Sequence, residues 1–125
     1  MKIPSNLKYT KSDEWLDPES GKMGLTDYAQ DQLSDIVFVE ALVDIDEEIE
    51  VGDSVSEVES VKASAEVYSP AAGTIIALNE DLEDAPEVIN SSPYENGWLV
   101  QLDISEESDE LMDAAAYEKY CEERD

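Results

Sequence analysis

Apolar and polar positions change over in short runs along most of the chain, and the runs divide it into small elements. Lys8-Tyr9-Thr10 and Glu14-Trp15-Leu16 read as two short extended pieces. Asp17-Pro18-Glu19-Ser20-Gly21 is a turn by composition, and Lys22 to Leu25 is a short strand after it. Thr26 stands where its hydroxyl caps a short helix over Asp27 to Leu33. Ile36-Val37-Phe38-Val39 is continuous, mostly β-branched and short, which predicts a strand covered on both faces.

The middle of the chain carries the clearest pattern. Gly52-Asp53 makes a turn before a strand containing Val55 and Val58. Ala63, Ala65 and Val67 then alternate with Ser64, Glu66 and Tyr68, the period of two that marks a strand. Val61-Lys62 therefore falls between two strands, at the tip of a hairpin. Ser69-Pro70-Ala71-Ala72-Gly73 reads as a loop and Thr74 to Leu78 as a strand. Pro86 to Ile89 reads as a helical turn, and Pro93-Tyr94-Glu95-Asn96-Gly97 as a turn. Trp98, Val100, Leu102 and Ile104 alternate with polar residues in a last half-buried strand. Met112, Ala116 and Tyr120 recur at helical spacing and predict a closing helix. Many short strands separated by turns predict a mainly β fold, a small sandwich or barrel with helices at its margins.

Composition excludes several function classes. The chain has 125 residues, enough for one domain with a real core, and 42% are hydrophobic. No apolar run is long enough to span a bilayer. The first residues lack the apolar segment of a secretory signal, so a cytoplasmic protein is expected. Acidic residues number 33 and basic residues 7, for a formal net charge of −26. A nucleic-acid partner needs a basic footprint that this chain lacks, and an anionic membrane would repel it. The acids are spread along the whole chain, which predicts adaptation to a salt-rich cytoplasm, where the repulsion among them is screened. There is no histidine, so a Ser-His-Asp or Cys-His arrangement is excluded. The single cysteine, Cys121, reads as a packing residue, and no Cys-x-x-Cys site exists. Asp44-Ile45-Asp46-Glu47-Glu48 lacks the sixth-position glycine of a calcium loop and reads as a solvated, charged turn. No metal site and no catalytic residues are expected.

One basic residue stands alone. From Met23 to Glu118 the only cation is Lys62, and it falls on the hairpin tip. An ordinary surface lysine offsetting Glu59 and Glu66 would be worth about 0–1 kcal/mol, and many other positions would serve as well. A lysine that must be covalently modified has a better reason to sit there. The tip projects its amine into solvent and lets a tethered group swing between partners.

Glu59-Ser60-Val61-Lys62-Ala63 resembles the lipoylation segment of glycine cleavage H proteins. Five further blocks follow the family's order: Ser12-Asp13-Glu14-Trp15, Gly24-Leu25-Thr26-Asp27-Tyr28-Ala29-Gln30, Asp35 to Glu40, Tyr68 to Gly73, and Asn90 to Trp98. The resemblance implies a hybrid barrel-sandwich with short flanking helices and a C-terminal helix. It spans 1–125 as one carrier domain, with a lipoyl-bearing core over roughly 22–104 and a helical segment over 106–125. It implies lipoate in amide linkage to Lys62, with Glu59, Ser60, Val61 and Ala63 as the segment the attachment enzyme reads. It implies a shuttle rather than an enzyme. An aminomethyl group passes from the pyridoxal-phosphate glycine decarboxylase to the aminomethyltransferase, and dihydrolipoyl dehydrogenase reoxidises the arm. Carried over position by position, the cleft that shelters the loaded arm involves Ser12, Glu14 and Glu66. The sequence departs from the family at Asp13, where histidine is common. Two other readings stay open: a relay that donates lipoyl groups to other complexes, and an unmodified acidic adaptor. A biotin carrier usually has Met-Lys-Met and a 2-oxoacid dehydrogenase lipoyl domain Asp-Lys-Ala, neither of which matches Val61-Lys62-Ala63.

Overall fold

The computed structural model describes residues 1–124, and residue 125, at the end of the predicted C-terminal segment, lies outside the described residues. Nine strands and four helices follow the order β1 (Lys8–Tyr9), β2 (Glu14–Leu16), β3 (Lys22–Leu25), α1 (Asp27–Leu33), β4 (Ile36–Ala41), β5 (Glu48–Ile49), β6 (Ser54–Ser60), β7 (Ser64–Tyr68), β8 (Ala71–Leu78), α2 (Asp81–Asp84), α3 (Val88–Ser91), β9 (Val100–Glu107) and α4 (Ala114–Arg124). They form a six-stranded sheet, β1-β2-β3-β9-β8-β5, and a three-stranded sheet, β4-β6-β7. Every paired strand is antiparallel.

The core lies between the sheets. Leu16, Met23, Ile75, Val100 and Leu102 of the larger sheet bury against Val39, Val55, Val58 and Val67 of the smaller one. Each such side chain contributes about 1.5–3 kcal/mol when fully buried. A second, aromatic cluster forms where α4 folds back over the N-terminal strands: Tyr9, Trp15, Tyr28, Tyr117 and Cys121. The Tyr9 and Tyr117 rings stack at 4.7 Å. Trp15 lies across its cross-strand partner Gly24, where a Cβ would meet the indole Nε1 at 3.0 Å. Its own N–H donates to the Pro93 carbonyl at 3.0 Å.

The strand at Lys22–Leu25 and the helix at Asp27–Leu33 coincide with the sequence expectation, and the Thr26 hydroxyl accepts from the Ala29 amide at 3.2 Å. Three expectations need correction. β4 is not covered on both faces. It is an edge strand whose outer face is open, and only Ile36 and Val39 point inward. Ala71 to Gly73 are not loop. The turn-prone composition is overridden by pairing with β9, and a register shift at Ala72/Gly73 accommodates the glycine. The closing helix buries Tyr117 and Cys121, whereas Ala116 is exposed and Met112 precedes the helix, bridged to Tyr9.

Candidate functional site

Lys62 sits at the tip of the β6–β7 hairpin and is exposed. The tip is held by one side chain. The Ser60 hydroxyl accepts from the amides of Lys62 and Ala63, both at 3.1 Å, and donates to the Ala63 carbonyl at 3.1 Å. The Ser60 amide closes the turn on the same carbonyl at 2.8 Å. The Val61 amide donates to the Asp35 carbonyl at 3.0 Å and so ties the tip to the start of β4. The backbone around Lys62 is thus fixed, while its side chain is not. Among the described residues Lys62 makes no ion pair, and neither do Lys2, Lys11 and Lys22. Lys8, Lys119 and Arg124 pair with Glu107, Glu123 and Asp13, and Lys22 lies over Trp98. The reading of Lys62 as a partner for Glu59 or Glu66 therefore finds no contact. Glu66 accepts instead from the Ser54 hydroxyl at 2.8 Å.

Beside the hairpin is a depression of about 320 Å³. Leu25, Ala29, Leu33 and Ala65 make its apolar wall, and Ser12, Asp13, Glu66 and Arg124 its polar rim. Ala65 and Glu66 belong to β7, the strand that leaves the tip, so the depression is continuous with the hairpin that carries Lys62. Ser12 also lines a neighbouring depression of about 350 Å³ with Glu14 and Tyr68. The three residues carried over from the resemblance thus divide between two adjoining hollows, with Ser12 shared.

Glu14 is only 2% exposed. Its Oε1 accepts from the hydroxyls of Thr10 and Ser12, both at 2.6 Å, and its Oε2 faces the Tyr68 amide at 3.4 Å. Burial pushes its carboxyl above the ordinary range, and the two hydroxyls pull it partly back. The sign of the pH effect follows. A carboxyl whose folded-state pKa is raised holds its proton more tightly when folded. Its stability contribution is lost as pH rises from the unfolded value of 4.5 through the folded value. Glu14→Gln is accordingly expected to melt at a higher temperature than the parent protein at pH 7 and to lose that advantage near pH 4.5. Melting curves at the two pH values check this, and an equal shift at both would exclude the titration as its cause.

Asp13, the departure from the family pattern, has a partner that sequence reasoning missed. Its carboxylate receives both Arg124 guanidinium arms, at 2.6 and 2.9 Å, and the Tyr117 hydroxyl at 2.8 Å. Asp13 sits at φ 71°, a left-handed conformation that Asp and Asn tolerate better than most residues. The guanidinium stacks over Tyr28 and Tyr120, with distances to the ring centroids of 4.2 and 4.6 Å. This bidentate pair locks the end of α4 to the rim of the hollow beside the hairpin.

Two packed antiparallel sheets, with an exposed lysine on the hairpin tip of the smaller one and a polar-rimmed hollow alongside, are the architecture of a carrier of a covalently attached group. The sequence pattern of the family described as "Glycine cleavage H-protein" matches residues 7–124. The chain is 50% identical over 118 residues to the glycine cleavage system H protein of Deinococcus deserti, covering 94% of this chain and 97% of that one. It is 46% identical over 126 residues to that of Oceanobacillus iheyensis, covering 98% and 99%. The crystal structure of the glycine cleavage system H protein from Mycobacterium marinum superposes with a TM-score of 0.85 at 32% identity, covering 98% of each chain. The chain belongs to the glycine cleavage H-protein family, whose members carry lipoate covalently on a lysine, and it is a lipoyl carrier of the glycine cleavage system. The fold agrees with the barrel-sandwich hybrid expected from the sequence.

Proposed function

We propose that Lys62 is the lysine that carries the lipoyl group and that the chain acts on its partners as a substrate, without catalytic residues of its own. The observation that carries this reading is an exposed lysine at the tip of a hairpin whose turn is held by hydrogen bonds, with no ion pair among the described residues. Once attached, the dithiolane accepts the aminomethyl group at the pyridoxal-phosphate glycine decarboxylase, yields it at the aminomethyltransferase and is reoxidised by dihydrolipoyl dehydrogenase. Glu59, Ser60, Val61 and Ala63 set the tip for the enzyme that attaches octanoyl or lipoyl. Leu25, Ala29, Leu33 and Ala65 offer an apolar wall suited to the hydrocarbon arm and exclude water from it. Ser12 and Glu66 face the same hollow and accept hydrogen bonds from a protonated amine there, and Glu14 supports Ser12 from the adjoining hollow. The 125 residues work as one carrier unit in the cytoplasm of a host with high internal salt.

The test is a tryptic digest of protein from its native host. Acylation removes the cation that trypsin needs, so a single fragment from Met23 to Lys119 with the added lipoyl mass is expected. Complete cleavage after Lys62 would overturn the assignment and favour an unmodified adaptor.

A further inference from the structure

The register of β4 leaves an anomaly beside the modification site. Ile36 pairs with Ser60 and Phe38 with Glu59, so Val37 is an extra residue, a β-bulge next to the hairpin tip. In a regular strand one of two adjacent side chains would turn inward. Here the bulge turns both outward, leaving Val37 54% and Phe38 43% exposed. Val61, next to Lys62, is 65% exposed, and its amide is bonded to Asp35 at the start of the same strand. Three large apolar residues thus face solvent on the strand and tip that adjoin Lys62. Phe38 is the chain's only phenylalanine. Bulges are over-represented where a side chain must be re-aimed near a functional site.

The surroundings are acidic. Glu40 stands opposite Glu57, and Glu57 opposite Glu66, so three carboxylates cross the outer face of the small sheet just beyond Phe38. A partner that covers this face needs an apolar contact and a basic rim. We infer that Val37, Phe38 and Val61, flanked by that glutamate row, form the docking surface for the enzyme that acylates Lys62, and that its mouth presents apolar side chains ringed by lysine or arginine.

The chemistry selects this occupant over the other enzymes of the system. In acylation the Lys62 amine loses a proton and attacks the carbonyl carbon of an activated acyl donor. The amide C–N bond forms, the donor's C–O or C–S bond breaks, and an adenylate or thiol leaves with the electron pair. The attacking atom belongs to the chain itself, so the tip must enter the enzyme, and residues beside it must be touched. Partners that use the finished arm meet its far end. The inference rests on the assignment of Lys62 made above.

The experiment uses a lipoate ligase with ATP, lipoate and the full chain. Val37→Ser and Phe38→Ser are compared with Ile76→Ser, an apolar residue similarly exposed on the other sheet. Each bulge variant is expected to raise the KM for the carrier by about tenfold, with Ile76→Ser unchanged. Glu40→Lys is expected to raise it in the same direction. Variants driven to completion with excess ligase are then expected to be reduced by dihydrolipoyl dehydrogenase at the parent rate. Parent-like acylation of Val37→Ser and Phe38→Ser would overturn the docking surface, and so would equal losses in the acylation and reduction assays. Failure of the unmutated chain to accept lipoate would instead overturn Lys62 as the carrier residue. Matching circular dichroism and melting temperatures keep misfolding from imitating the result.

Discussion

Lys62→Arg leaves a folded protein that takes up no lipoyl group, and lipoyl-dependent glycine decarboxylation with it falls to background. Arginine keeps the positive charge and a comparable reach, so the field at the tip is preserved. The turn itself is built from the Ser60 hydroxyl and from backbone groups, which the substitution does not touch. Exposed changes of this kind usually move stability by less than about 0.5 kcal/mol. What is lost is the nucleophile, because a guanidinium stays protonated at any working pH and forms no stable acyl amide. Intact mass after co-expression with the attachment enzyme, together with the decarboxylation assay, checks both halves. A lipoyl mass on the variant would move the assignment to another lysine. The chain offers only Lys2, Lys8, Lys11, Lys22 and Lys119 as alternatives.

The stiffness of the tip has a functional logic. A tethered group gains effective concentration at a partner only if the tether spans the distance and its base is well placed. Here the base is fixed three times by the Ser60 hydroxyl, once by the Ser60 amide and once by the Asp35 carbonyl, so conformational freedom is confined to the lysine side chain and whatever it bears. On the reading proposed for Lys62, the hollow beside the hairpin would give that freedom a resting place. Its rim is locked by the Asp13–Arg124 pair, which joins the segment around Ser12 to the end of α4.

What was legible in the sequence and what was not follow from locality. The hairpin, the Thr26 cap and the strand at Lys22–Leu25 depend on residues close in sequence, and their patterns are visible there. The open face of β4 is not local. A run such as Ile36-Val37-Phe38-Val39 looks the same whether a second layer covers it or a bulge turns two of its side chains outward. The start of β8 was hidden by Pro70 and Gly73, residues that usually mark turns, because the pairing that overrides them comes from residues 100–107. Lys62 stands out in the sequence as the only cation between Met23 and Glu118, and the alternation on either side of it marks the hairpin tip. The Asp13–Arg124 pair joins residues 111 positions apart, yet a faint signal existed. Arg124 is the chain's only arginine, and a bidentate partner for a carboxylate is the role in which arginine and lysine are least interchangeable.

The melting temperature of the chain should climb by roughly 10 °C or more between dilute buffer and 1 M potassium chloride, because the fold holds like charges at close quarters. The row Glu40–Glu57–Glu66 gives this repulsion a specific seat. Directly opposed side chains on a sheet have Cβ atoms about 5 Å apart, and like charges there are destabilising. Two carboxylates about 6 Å apart in water repel by about 0.7 kcal/mol before screening. Glu57, in the middle, feels two such neighbours. Glu57→Gln should therefore stabilise the protein by about 1 kcal/mol in dilute buffer. At 1 M salt the Debye length is about 3 Å, shorter than the spacing, and the gain should nearly vanish. Chemical denaturation of both proteins at the two salt concentrations separates the terms. A parent melting temperature that stays flat with salt would rule out salt adaptation. A Glu57→Gln gain of equal size at both concentrations would mean that the row's effect is packing, not charge. If both expectations hold, the same carboxylates that cost stability in dilute solution form the charged flank of the surface beside Lys62. A basic partner would then do locally what salt does globally, relieving the row by supplying the missing cations.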